Sequence, residues 1–193
     1  MADSKYDYFT FFSNPDPKIA CIEELADGIY HIKLRKGVRM GERFPPTAEI
    51  PLCEDGGDIL NDFIDNIFRC VIISEKVKNI LLEEGLDEEV VEYLPFILKD
   101  KKGRRVKTQY YFANPLIKCN CLDEANSRVS KHEDGEIFRI RKLNVLKNLI
   151  PEDTKLFRLG ELTYHIIIRS DLVERLQKET TGLYLAKMGD KIY

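Results

Sequence analysis

"CVIISEKVKNILLEEG", Cys70 to Gly85, begins as an apolar, β-branched run and turns without a linker into a helical pattern. Val71–Ile73 has the composition of a buried strand. Ser74 then stands where an N-cap belongs, since its hydroxyl can accept from a free N–H of the first turn. Val77, Ile80 and Leu81 make one apolar stripe, and Gly85 ends it. The same order recurs 96 positions on, in "HIIIRSDLVERLQKETTG", His165 to Gly182. Val71 then falls on Ile167, Ile72 on Ile168, Ser74 on Ser170, Val77 on Val173 and Ile80 on Leu176, with Ser170 expected as the second cap. The expectation is two copies of one strand-to-helix unit.

Outward from these units the pattern is mostly extended. "YDYFTFF" (Tyr6–Phe12) and "GIYHIKL" after Gly28 are expected strands. From Arg35 to Gly57, "KGVRMGERFPP" and "CEDGG" predict a loop, the most mobile part of the chain. In "DILNDFIDNIF", Ile59, Leu60, Phe63, Ile64, Ile67 and Phe68 recur at helical spacing behind Asp58, which predicts a short capped helix. Downstream, "VVEYLPFIL" and "VKTQYYFANPLIKCNCL" flank "KDKKGRR", and "EIFRI", "KLFRL" and "GLYLAKM" add further extended runs. Strand–helix alternation is not sustained, which excludes a doubly wound parallel sheet. The expected class is α+β, with mixed or antiparallel sheets and a few short helices.

With 193 residues, 44% apolar and 33% charged, the chain has the composition of one soluble globular domain, 1–193. Its 30 basic and 33 acidic side chains leave a net charge of −3, which argues against a general nucleic-acid binder. The charge is nevertheless polarised: residues 1–97 carry 10 Lys/Arg and 20 Asp/Glu (−10), and residues 98–193 carry 20 and 13 (+7), together −3. Within "EEGLDEEVVEY", Glu83, Glu84, Asp87, Glu88, Glu89 and Glu92 form the candidate face for a basic protein partner; the plainer reading is a solvated helix end. No basic start followed by an apolar run opens the chain, and no eighteen apolar residues run together, so a cytoplasmic protein without membrane contact is expected. Five scattered cysteines are then expected as free thiols, mostly buried.

Candidates for chemistry are few. Cys119 and Cys121 offer two soft ligands, but a closed zinc site needs four and none lies nearby in sequence, so no metal is expected. In a strand the two would share one face and suit a core. His31, His132 and His165 are far apart, no nucleophile elbow or phosphate-cradling glycine loop accompanies them, and "KHEDGE" around His132 has turn composition. "KDKKGRRVKTQYY" joins phosphate-neutralising side chains to tyrosines that stack on bases, yet Gly103 between two apolar strands marks it as an exposed hairpin tip. In "CLDEANS", Asp123 and Ser127 have catalytic chemistry or, more simply, tie down a turn after a strand.

Taken in order, "NDFIDNI", "VIISEKVKNILLEEGLD", "EYLPFILKDKKG", "YYFANPLIKCNCLDEANS", "KLFRLGELTYHIIIRSDLVERLQ" and "TTGLYL" resemble a family of bacterial immunity proteins from polymorphic-toxin systems. The resemblance covers residues 58–188, the family-like core, and leaves 1–57 as variable N-terminal strands and loop. Its most specific positions include Ser74, Pro95, Tyr111, Asn114, Cys121–Asp123 with Ser127, Phe157–Leu159 around Arg158, and Gly182. It implies a non-enzymatic protein that binds and neutralises a cognate toxin encoded by an adjacent gene in bacterial competition. It implies no cofactor and no catalytic residue, and casts Ser74, Asn114, Asp123, Ser127, Arg158 and Gly182 as scaffold. The alternatives are nucleic-acid binding through the basic hairpin 99–107, or an unrecognised enzyme.

Overall fold

Both strand-to-helix segments form in the computed structural model, which describes residues 5–12 and 16–192. The strands are β1 (Tyr8–Phe11), β2 (Cys21–Ile22), β3 (Glu49–Pro51), β4 (Phe63–Asn66), β5 (Val71–Ser74), β6 (Val91–Lys99), β7 (Tyr110–Pro115), β8 (Lys118–Cys119), β9 (Arg128–Lys131), β10 (Ile137–Lys142), β11 (Leu156–Leu159), β12 (Ile166–Arg169) and β13 (Leu185–Lys187). The helices are α1 (His31–Arg35), α2 (Glu75–Glu83) and α3 (Ser170–Glu179). A six-stranded mixed sheet runs β2-β4-β5-β7-β6-β3, a five-stranded one β13-β1-β12-β11-β8, and β9 and β10 form a separate hairpin. The class is α+β, with more strand than helix.

Each large sheet is buried on both faces, which explains the uninterrupted apolar runs of its central strands. On β5, Ile73 faces a middle layer and Ile72 an outer one; on β12, Ile166 and Ile168 face the same middle layer and Ile167 the opposite outer one. The middle layer also takes the stripes of both helices, Val77, Ile80 and Leu81 of α2 and Leu172, Val173 and Leu176 of α3. The two units thus share one core.

Their caps differ. Ser74 Oγ accepts from Val77 N–H at 3.4 Å and caps α2 as expected. Ser170 does not cap α3: the helix starts at Ser170 itself, after Arg169, and the Ser170 hydroxyl accepts instead from Asp7 N–H at 3.3 Å beside β1.

Three expectations fail. "GIYHIKL" contains the helix α1: alternation would put Tyr30, Ile32 and Leu34 on one face, but Tyr30 and Ile32 are 57% and 58% exposed while Leu34 is buried. "DILNDFIDNIF" contains the strand β4. It is not buried as one helical stripe: Ile59 and Ile67 face solvent, while adjacent Phe63 and Ile64 are covered on opposite faces of a sheet, paired with Ile73 and Ile72. The 35–57 stretch is not merely loop: β3 adds in parallel to β6, and Met40, Phe44, Ala48, Ile50 and Leu52 are core residues. Its prolines and glycines punctuate the backbone without removing these anchors.

The polar turn after β8 forms as expected. Asn126 donates to Asp123 from its backbone (3.2 Å) and its side chain (2.7 Å), and Ser127 Oγ accepts from Asn144 N–H at 2.9 Å. Asp123→Ala should lower stability by about 1 kcal/mol, a fall of about 2–4 °C in melting temperature for a chain of this size. An unchanged melting curve would remove Asp123 from the scaffold.

Candidate functional site

The acidic segment is split by folding. α2 ends at Glu83, Gly85 turns the chain with φ +81°, and β6 begins at Val91. Glu92 therefore points into the protein and is 6% exposed, which withdraws it from any partner-facing surface. Its carboxylate accepts from Met40 N–H (2.9 Å) and Gly41 N–H (2.7 Å) and from Asn114 Nδ2 (3.0 Å), its opposite number across the β6–β7 register. Asn114 Oδ1 in turn accepts from Arg158 Nη2 at 3.0 Å. The guanidinium, 2% exposed, also donates to the carbonyls of Pro115, Arg35 and Thr163. Burial lowers the Arg158 pKa to about 10, so it stays charged at neutral pH. Asn114 thus joins a buried cation to a buried anion. Gly37 makes the space: a Cβ there would lie 2.7 Å from Arg158 Cδ and Nε.

Glu83 and Glu84 clamp the helices together. Glu84 pairs with Lys155 and Arg175, each at 2.7 Å, and these two cations hold its carboxyl below the usual range; Glu83 pairs with the same Arg175. Asp87, Glu88 and Glu89 remain as an exposed carboxylate knuckle between α2 and β6. Asp87 Oδ1 accepts from Glu89 N–H at 3.0 Å, which shapes the knuckle, and Arg39 lies 3.7 Å from Glu89.

The alternatives gain little from the geometry. In the basic tip, Lys99 pairs with Glu49, Lys101 with Asp58 and Arg104 with Asp100, at 2.7–2.9 Å, which cancels part of its charge. A cleft of about 180 Å³ between the sheets is lined by both Cys70 and His165, a thiol and an imidazole in one cavity. Burial raises Cys70 to about 12 and lowers His165 to about 4, so both are neutral at pH 7, the reverse of a thiolate–imidazolium couple. Cys119 and Cys121 are buried in an apolar cluster, as their spacing suggests, but Cys21, Cys53 and Cys70 are only half-buried, contrary to expectation.

Sequence reading missed one grouping. β2 carries Cys21, Glu23 follows just beyond it on the same face, and Cys53 N–H donates to the Cys21 carbonyl at 2.9 Å. The two sulfurs and a Glu23 oxygen lie within 4.8 Å of one another. Cys21 and Glu23 at i and i+2 were the only local signal; Cys53 arrives through the chain that builds β3.

Among the described residues no helix is long and apolar enough to cross a membrane. A family profile described as "Immunity protein family (Imm11)" matches residues 14–190. That range reaches well upstream of the 58–188 core that carries the resemblance in sequence. No curated protein matches.

Proposed function

The chain belongs to the Imm11 immunity protein family, and on that premise we propose that it is a non-enzymatic, cytoplasmic inhibitor that binds a cognate toxin encoded by a neighbouring gene. The family match across nearly the whole chain carries this reading. Inhibition by complex formation needs a rigid scaffold and a complementary surface, and two doubly covered sheets supply the first.

For the surface, the proposal takes the Asp87–Glu89 knuckle, with Glu83 at its flank, as the charged rim that orients a basic toxin during encounter. Exposed Tyr30 and Ile32 on α1, in the N-terminal portion, and exposed Ile59 and Ile67 on either side of β4, at the start of the family-like core, supply apolar anchors of the kind that interfaces bury. Glu92 and Glu84 take no part in contact, being committed internally.

The experiment is co-expression with the product of the neighbouring reading frame, followed by measurement of complex formation and survival. A tight complex with protection is expected; neither binding nor protection would end the immunity reading. Within it, Glu88→Lys combined with Glu89→Lys should slow association about tenfold at low salt and leave dissociation nearly unchanged, because rim charges act on encounter. Equal association rates at low salt would make the knuckle ordinary solvated surface.

A further inference from the structure

We propose that Cys21, Cys53 and Glu23 form a binding site for one thiophilic divalent cation of the zinc type, with a fourth coordination position open to the adjoining cleft. The three donors come from two separate parts of the N-terminal portion, and the Cys53 N–H bond to the Cys21 carbonyl fixes their backbones side by side. Tetrahedral zinc, with bonds of about 2.3 Å to sulfur and 2.0–2.2 Å to oxygen, places its ligands roughly 3.3–3.8 Å apart. The donors here lie within 4.8 Å of one another. Side-chain rotation closes the difference, since Glu23 is exposed and both thiols are half-buried.

The donor set and the surroundings select the cation. Two thiolates favour zinc-like metals over magnesium or calcium, and a carboxylate completes a set of three. The group borders a cleft of about 390 Å³ that Asp16, Asp55 and Asp65 also line. Asp65 stands directly opposite Cys21 in the parallel β2–β4 register, so a further carboxylate flanks the thiol. The site is therefore negative before any metal arrives. Binding a dication needs no redox step: a sulfur–metal bond forms, the thiol proton leaves to solvent and no electrons change hands. Three protein ligands leave the fourth position to water or to a donor from outside the chain.

Cys119 and Cys121 do not compete. They are buried among apolar side chains, and among the described residues they belong to no such group of three.

The test uses the full chain, stripped of metal and kept reduced, titrated with cobalt(II) and then zinc. Expected are one cobalt per chain with a near-ultraviolet sulfur-to-cobalt charge-transfer band, its displacement by one zinc, and zinc affinity that rises with pH because thiol ligands release their protons on binding. Cys53→Ser should roughly halve the band, and Glu23→Gln should keep the band while weakening zinc about tenfold or more. Cys119→Ser with Cys121→Ser should change neither. Glu23 is exposed, so its variant tests the site even if the cysteine variants fold poorly. Absence of the band in the reduced parent, unchanged zinc affinity in Glu23→Gln, or loss of binding in the Cys119/Cys121 variant would overturn the proposal.

Discussion

Arg158→Leu is expected to destabilise the protein by about 3–5 kcal/mol. The guanidinium makes hydrogen bonds to three backbone carbonyls and to Asn114 Oδ1, and these acceptors come from the last residue of α1, the end of β7 and the segment after β11. Leucine occupies part of the volume and satisfies none of them, at about 1–3 kcal/mol for each buried polar group left without a partner. It also strips the counter-charge from Glu92, reached through Asn114. Glu92→Gln serves as comparison. An amide oxygen still accepts from one of the Met40 and Gly41 N–H groups, so a smaller loss of about 1–2 kcal/mol is expected. Urea unfolding measures both, with the slope required to stay constant so that the midpoint reports stability. A loss under about 1 kcal/mol for Arg158→Leu would mean that water replaces the guanidinium without difficulty.

Gly182→Ala is the second large effect, at about 2–4 kcal/mol. Gly182 has φ +78°, and a Cβ there would sit 2.5 Å from Asn61 Cβ and 2.7 Å from the Phe63 carbonyl oxygen. The close approach arises because the turn after α3 is stitched to the start of β4. Phe63 N–H donates to the Thr181 carbonyl at 3.1 Å, and the Asp62 carboxylate accepts from Thr181 N–H at 3.0 Å and from the Ser74 hydroxyl at 2.7 Å. The residue that caps α2 and the turn that ends α3 therefore hold the same carboxylate, and an added methyl pushes them apart. Gly85→Ala isolates the backbone part of the cost: φ is +81° but nothing lies within 4 Å of the new Cβ, so about 1 kcal/mol is expected. Equal losses for the two variants, read as melting-temperature shifts, would show that the contacts at Gly182 relax freely.

Position 182 also illustrates what could be read in advance. Glycine at the end of the "ETTG" helix pattern predicts a left-handed stop, and that much is local. The contact with Asn61, more than a hundred residues away, is invisible from the pattern. The same division separates the successes from the failures. The β5–α2 unit, its Ser74 cap, the β6–β7 hairpin with Gly103 at its tip and the Asp123 turn depend on neighbours within a few residues. "DILNDFIDNIF" has equally good local spacing for a helix, and pairing with β5 overrules it because burial of Phe63 and Ile64 on two faces of a sheet outweighs a small propensity difference.

Charge was legible as a sum and misleading as a map. The sequence places a net −10 in one half and +7 in the other. In the fold part of that asymmetry is internal, since Asp7 meets Lys147 and Lys187, Glu49 meets Lys99, and Glu84 meets Lys155 and Arg175. Six carboxylates that looked like one surface became an exposed knuckle, a clamp between helices and a buried acceptor.

By itself the sequence determined the α+β class, the two strand-to-helix units, the main hairpin and the resemblance to immunity proteins, because periodicity, caps and turns are set by interactions a few residues apart. Only the tertiary structure decided that Glu92 is an internal ligand, that Arg158 ties the two sheets, and that Cys21, Glu23 and Cys53 converge. Those outcomes rest on pairs separated by tens of residues, whose distance is fixed by strand register and core packing rather than by any local preference.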